Sequence, residues 1–176
     1  MAKEFYGVFE STNIRGRNFS FVSDIDLENG MLIHKGDLVS DKGTQVWEAV
    51  VPSTASIAAG REVYVVGNPA LSPDRTTTYK MNEDQYYIPA GKVFRAYELQ
   101  EKDRFGISDY SINGTPVVGE YIVLENGEAF PATAATAPVA GFLAMVYEIA
   151  PMGFNYWVGQ QVDARSNRVR VEVVRN

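Results

Sequence analysis

Residues 168–173 read Arg-Val-Arg-Val-Glu-Val, a strict alternation of charged and apolar side chains. Successive side chains of a β-strand point to opposite faces, so these valines would face a core and the charged residues would face water. Short segments rich in β-branched and aromatic residues occur earlier in the chain, at residues 62–66, 121–124 and 139–149. They predict further strands, and the last of them is expected to be buried.

Tight turns separate these segments. Asn126-Gly127 lies between two apolar runs and predicts a hairpin with a type I′ turn. Asn29-Gly30, Asn113-Gly114 and Lys42-Gly43 predict three more tight turns. The predicted fold class is therefore all-β, a compact sandwich or small barrel with tight Asn-Gly turns.

Helical signals are confined to one short stretch. Residues 53–60 predict a helix of one or two turns, with Ser53 as its N-cap and Gly60 beyond its C-terminus. We expect at most this one short helix.

The length of 176 residues supports one domain or two small ones. A weak internal repeat relates residues 29–30, 36–39 and 63–66 to residues 113–114, 119–122 and 144–147, although any β protein with Gly-acid turns gives such matches. We expect one β domain over residues 22–176, and two similar units at about 22–85 and 86–176 remain open. Residues 1–21 would be an N-terminal arm or a first strand, and removing the residues before Ser20 is expected to leave the β fold intact.

Composition excludes several classes of site. The chain has 16 Lys and Arg against 22 Asp and Glu, a net charge of −6, so nucleic acid is a poor candidate partner. It has no cysteine, which excludes disulfides and thiolate chemistry. No secretory signal and no apolar run near the ~20 residues of a membrane span is visible, so we expect a protein made in a cytoplasm with no membrane partner.

Catalytic and metal signals are weak. His34, the single histidine, ends a strand-like run with no nucleophile motif nearby, so we expect a surface or half-buried strand residue. Asp24, Asp26 and Glu28 have the spacing that opens a calcium loop, but Lys35 stands where a bidentate acid is needed. These three acids are expected to form a solvated strand face. We therefore predict no catalytic residue, no metal and no cofactor.

Two groups of residues could bind a partner. Arg168 and Arg170 share one face of the last strand, where a solvated mixed-charge face with Glu172 is the favoured interpretation. Exposed aromatic and basic residues suit a protein interface. The candidate contact residues are Phe5, Tyr6, Arg15, Arg17, Tyr86, Tyr87 and Trp157.

One longer stretch carries a resemblance. Residues 87–99 read Tyr-Ile-Pro-Ala-Gly-Lys-Val-Phe-Arg-Ala-Tyr-Glu-Leu, residues 102–112 read Lys-Asp-Arg-Phe-Gly-Ile-Ser-Asp-Tyr-Ser-Ile, and residues 118–127 follow with Val-Gly-Glu-Tyr-Ile-Val-Leu-Glu-Asn-Gly. This pattern resembles a family of small β-rich virion proteins of tailed bacteriophages, the head decoration or capsid-associated (cement) proteins. The family pattern usually has Gly before the Asp of the second stretch, where this chain has Lys102.

The resemblance implies a non-enzymatic virion structural protein that binds and stabilises the major capsid lattice. It implies a homo-oligomer on the outer surface of the capsid, with a trimer as one form, made in the host bacterial cytoplasm. We expect the N-terminal segment or residues 68–85 to contact the capsid. The alternative is a tail- or fibre-associated β module that recognises host glycans through an exposed Trp47 or Trp157, and a carboxylate-based hydrolase is a more distant third possibility.

Overall fold

The computed structural model describes residues 6–43, 45–69, 86–152 and 166–176. Within those ranges the chain forms eleven strands, one short α-helix and one 3₁₀ turn. The strands are β1 Phe9–Asn13, β2 Asn18–Val22, β3 Leu32–Leu38, β4 Val46–Val50, β5 Val63–Val66, β6 Val93–Glu98, β7 Arg104–Ser108, β8 Tyr121–Val123, β9 Ala132–Ala134, β10 Leu143–Met152 and β11 Ser166–Arg175. The helix α1 is Thr54–Ala58 and the 3₁₀ turn is Asp109–Ser111.

Five strands close into a barrel, in the order β2-β4-β3-β5-β6. Its neighbours are antiparallel except for β2 and β4, which run parallel with Ser20 opposite Val46. The remaining strands form an antiparallel six-stranded sheet in the order β1-β7-β11-β10-β8-β9. The all-β prediction is confirmed, and barrel and sheet together make a sandwich-like fold.

Two apolar clusters fill the molecule, and strands β3 and β5 contribute to both. Leu32 and Val63 lie in the cluster that also holds the inner valines of β11, whereas Ile33 and Tyr64 lie in the cluster inside the barrel. Alternation along the two strands sends successive side chains to opposite sides. The β3–β5 pair is therefore a wall shared by the barrel and the space between barrel and sheet.

The alternating stretch at residues 168–173 lies in β11 and has its valines buried, as predicted. Val169, Val171 and Val173 of β11 are buried, each 1% exposed or less. The strand predicted over residues 139–149 begins later, because Val139 is 98% exposed and β10 starts at Leu143.

The predicted helix is present with the predicted cap. The Ser53 side chain accepts a hydrogen bond from the backbone N–H of Ser56, and the Ser56 hydroxyl accepts one from the backbone N–H of Ser53. This reciprocal capping box satisfies two backbone donors that have no intrahelical partner. Gly60 follows the helix with φ of 60°.

The turn at Asn126-Gly127 differs from its prediction. Strands β8 and β9 pair from Val123 and Ala132 outward, so eight residues, 124–131, connect them instead of two. Gly127 has φ of 79°, and Lys102 alone among the described non-glycine residues has positive φ. A type I′ turn needs positive φ at both central residues, so the turn is of the type II kind.

Contacts with α1 explain this difference. The side-chain oxygen of Asn126 accepts a hydrogen bond of 2.8 Å from the backbone N–H of Thr54, and the N–H of Gly127 donates to the carbonyl of Pro52 at 2.8 Å. The turn therefore binds the start of the helix instead of closing a hairpin.

The N-terminal segment is built into both layers. Strand β1 pairs with β7 of the sheet, and β2 pairs with both β4 and β6, which closes the barrel. Deleting the residues before Ser20 would remove all of β1 and the start of β2. The pairing of these strands therefore leads us to expect that the deletion disrupts the β fold, contrary to the expectation from the sequence. The predicted two-unit repeat remains a prediction.

None of the helices in the described ranges is long and apolar enough to cross a membrane.

Candidate functional site

Two of the candidate contact residues stack on each other. The rings of Tyr6 and Tyr87 lie with centroids 5.0 Å apart and planes 28° apart, a separation typical of an attractive aromatic pair. Tyr87 is 38% exposed, so the stack keeps surface available to a partner.

The chain next to Tyr6 is held by buried hydrogen bonds. The N–H of Gly7 donates to the Glu28 carboxylate at 2.7 Å, and the N–H of Val8 donates to the Ser108 hydroxyl at 3.0 Å. A Cβ on Gly7 would lie 2.2 Å from the carbonyl oxygen of Asn29, so only glycine fits here. These contacts fix the backbone beside Tyr6.

Tyr87 is positioned by the bridge that follows it. Ile88 and Leu27 exchange two backbone hydrogen bonds, of 2.9 and 2.7 Å, and both side chains are buried in the barrel. Tyr86 turns the other way: its hydroxyl accepts a hydrogen bond of 2.5 Å from the Asn68 amide, and its ring packs against the barrel core. Of the two tyrosines, Tyr87 is thus the one presented to solvent.

A second apolar side chain stands at the same end of the barrel. Ile25 is 49% exposed in the loop that leaves β2. This loop is bound to the turn before β6, where Gly91 donates to the carbonyl of Ser23 at 2.8 Å and Ala90 donates to the Asp26 carboxylate at 2.9 Å. Ile25 is therefore presented on a hydrogen-bonded loop.

We call this surface the β2–β6 end. It consists of the exposed or partly exposed side chains that follow β2 or precede β6, together with Tyr6: Tyr6, Ile25, Tyr87 and Val93. Val93 is 47% exposed and lies opposite Val22, the last residue of β2. Asp24 and Asp26 flank Ile25 and are exposed, which gives the surface an acidic border.

The acids of this region do not form the predicted solvated strand face. Residues 24–28 lie outside the strands, and Glu28 is only 8% exposed because its carboxylate binds the N–H of Gly7. Sequence alternation missed this because the partner lies 21 residues away. In the described ranges no group of three His, Cys, Asp or Glu side chains could hold a metal ion.

The two arginines among the candidate contact residues, Arg15 and Arg17, do not lie at the β2–β6 end and bind other parts of the chain. Arg15 donates from its backbone N–H and its Nε to the Asp103 carboxylate, both at 3.2 Å. The carbonyl of Arg17 accepts a hydrogen bond of 2.9 Å from the N–H of Glu98, and its side chain is exposed. Phe5 and Trp157, the other two candidates, lie outside the described residues.

The Trp47 side chain is partly buried and packs against the apolar cluster inside the barrel. The Lys35 ammonium lies 3.8 Å from the centroid of its ring and 4.9 Å from that of Phe19. These are cation–π distances, and the lysine covers one face of the indole. That face is not available to stack on a sugar ring.

The outer face of the sheet carries paired charges, as predicted. Arg170 donates to Glu148 at 2.7 Å and Arg104 donates to Glu172 at 2.5 Å. Arg168 pairs with Glu10 of β1. Because these charges are neutralised within the chain, this face has little free charge to offer a partner.

His34 is fully buried, at 0% exposure, so the expected surface or half-buried position is wrong. Its Nδ1 lies 3.0 Å from the carbonyl oxygen of Glu62, and its Nε2 has no hydrogen-bond partner among the described residues. Burial lowers the pKa of His34, the carbonyl of Glu62 opposes this, and the charge of Arg61 adds to the lowering.

The sequence matches no protein-family model, and a search of curated proteins finds no match.

Proposed function

We propose that this chain is a non-enzymatic structural protein of a tailed-bacteriophage virion that binds the major capsid protein and stabilises its lattice. In this proposal it sits on the outer surface of the capsid as a homo-oligomer, such as a trimer, and is made in the host cytoplasm. The resemblance of residues 87–127 to head decoration proteins supports the capsid as the partner.

The observation that carries the binding role is the β2–β6 end. Tyr6, Ile25, Tyr87 and Val93 expose apolar surface at one end of the barrel, on backbone that is fixed by hydrogen bonds. Exposed aromatic and aliphatic side chains on a rigid support bind a partner at low entropic cost. A modest contact of this kind, repeated over many copies on a lattice, suffices for stable attachment.

The test is co-sedimentation with capsid shells of the encoding phage that lack the protein. Ile25→Asp and Tyr87→Ala are each expected to raise the Kd for the shells at least tenfold, because loss of a hot-spot side chain typically costs about 2 kcal/mol or more. Val139→Asp is the matched control, since Val139 is also an exposed apolar residue but follows β9 on the sheet side.

Wild-type protein that fails to bind the shells would contradict the capsid assignment. Full binding by both variants would instead contradict the assignment of the β2–β6 end as the contact surface. Circular dichroism of each variant checks that the β fold is retained.

A further inference from the structure

His34 lies in the wall that the barrel shares with the space facing the sheet. It is the residue of β3 opposite Val63 of β5 and Val50 of β4. Leu32, two positions earlier and on the same side of β3, belongs to the cluster between barrel and sheet. The imidazole is therefore enclosed by strands on both sides.

The hydrogen bonding of His34 fixes one neutral tautomer. A backbone carbonyl can only accept, so Nδ1, 3.0 Å from the carbonyl oxygen of Glu62, must carry the proton. Nε2 then carries a lone pair that is buried and has no partner in the ranges that the structure describes. Adding a proton there would create a buried N–H donor with no acceptor and a cation removed from water.

In the part of the chain that the structure describes, no carboxylate charge acts on the ring to offset that cost. Glu62 offers its backbone carbonyl, while its carboxylate accepts the hydroxyl of Tyr64, which lies on the barrel side of β5. The charge that acts on His34 through space is that of Arg61, which has the same sign as a protonated imidazole.

The other described elements around His34 carry charged groups, but none of them acts on the ring as a counter-charge. On β3 the next residue is Lys35, a cation held over Trp47. On β4 the nearest acid is Glu48, which packs beside Gly36. Helix α1 has no titratable side chain, and Arg175 at the end of β11 donates to the carbonyls of Gly141 and Pro138.

We propose that His34 makes this fold sensitive to acid. The neutral imidazole fits the packed wall between barrel and sheet, whereas the protonated imidazole is incompatible with this packing. The unfolded chain protonates this residue near pH 6.5, so the fold loses stability as the pH falls through that value, well before the carboxylates titrate. Mild acid is therefore expected to lower the free energy of unfolding of this protein.

The chain offers an unusually clean test, because His34 is its single histidine. Urea unfolding of the wild type and of His34→Gln is compared at pH 7.5 and pH 5.5. The unfolding constant of the wild type is expected to rise roughly tenfold more than that of the variant, the effect of one imidazole that is protonated only when unfolded. Equal changes in the two proteins would overturn the proposal.

A second measurement needs no variant. The one imidazole Cε1–H resonance of the folded wild type is expected to keep the shift of a neutral ring at pH 6.0. A titration midpoint at or above 6.5 in the folded protein would show that His34 accepts a proton without cost, and the proposal would then be wrong.

Discussion

The carboxylate of Asp103 accepts two hydrogen bonds from Arg15, which lies 88 residues earlier in the chain. Its other oxygen accepts the backbone N–H of Gln100 at 2.9 Å, and the Asp103 side chain is 0% exposed. Strand β7 begins at the next residue, Arg104. Asp103 therefore joins the connection between β1 and β2 to the connection between β6 and β7.

Asp103→Asn is expected to lower the free energy of unfolding by about 2–3 kcal/mol, because an amide N–H would face the donors that the carboxylate now satisfies. Arg15→Ala is the matched control and should cost less than about 1 kcal/mol, since the Arg15 side chain is 55% exposed and its backbone donor remains. Urea unfolding followed by circular dichroism measures both. Equal losses would show that the exposed ion pair, and not the buried acceptor, carries the stability.

Lys102, one residue earlier, has φ of 68°, a conformation that favours glycine. Lys102→Gly is expected to raise the free energy of unfolding by about 0.5–1 kcal/mol. Glycine relieves the left-handed strain, and part of this gain is offset by the backbone entropy that glycine adds to the unfolded chain.

Lys102→Ala separates backbone strain from loss of the lysine side chain, because alanine keeps a Cβ at the same positive φ. Its stability should stay close to that of the wild type. A gain from alanine as large as that from glycine would mean that the lysine charge, and not the backbone, is unfavourable here.

The sequence predicts the strands of this fold better than their arrangement. Alternation identifies β11, and the Ser53 cap identifies α1, because both signals are local. The parallel pairing of β2 with β4 and the closure by β6 depend on contacts between distant segments. The Asn126-Gly127 turn shows the limit, since its local signal predicts a hairpin but its hydrogen bonds go to Pro52 and Thr54.

The same limit applies to the candidate site. Composition and position single out Tyr6 and Tyr87, but only the fold brings these two rings together. Ile25 is missed because its neighbours Asp24 and Asp26 suggest a solvated strand. An exposed isoleucine can be distinguished from a buried one only when the loop that carries it is known.

Because the pKa of the Tyr64 hydroxyl is raised in the folded protein, we expect the protein to lose stability in alkali. Burial raises its pKa first, and the hydrogen bond and negative charge of Glu62 raise it further. The folded protein therefore keeps the phenol protonated at a pH where the unfolded chain ionises it, so the stability that Tyr64 contributes is present below pH 10 and is lost as the pH rises above that value.

Tyr64→Phe removes both the hydrogen bond and this pH dependence. The variant should be about 1 kcal/mol less stable than the wild type at pH 8. Between pH 9 and pH 11 the wild type should lose about 1.4 kcal/mol relative to the variant, so the order of stability reverses and the variant becomes the more stable protein by about 0.4 kcal/mol. Urea unfolding across this range provides the measurement, and the other tyrosines are common to both proteins. A difference that stays constant with pH would contradict the buried position of the hydroxyl.

Gly7→Ala tests whether the fold fixes the backbone beside the Tyr6–Tyr87 stack. The new methyl group would lie 2.2 Å from the carbonyl oxygen of Asn29 and 2.0 Å from the Ser111 hydroxyl, so the segment before β1 would have to move away. We expect a loss of about 1–3 kcal/mol, typical of overpacking, together with weaker capsid binding because Tyr6 shifts from Tyr87.

Gly119→Ala is the control for a glycine replacement without a clash. Gly119 has φ of 90° and nothing within 4 Å of the added Cβ, so the variant should lose only about 1–2 kcal/mol from left-handed strain and bind capsid shells as the wild type does. Binding therefore separates the two variants even where their stabilities are close. If Gly7→Ala bound the shells as tightly as Gly119→Ala, the position of Tyr6 would not matter for the contact, and the β2–β6 end would reduce to Ile25, Tyr87 and Val93.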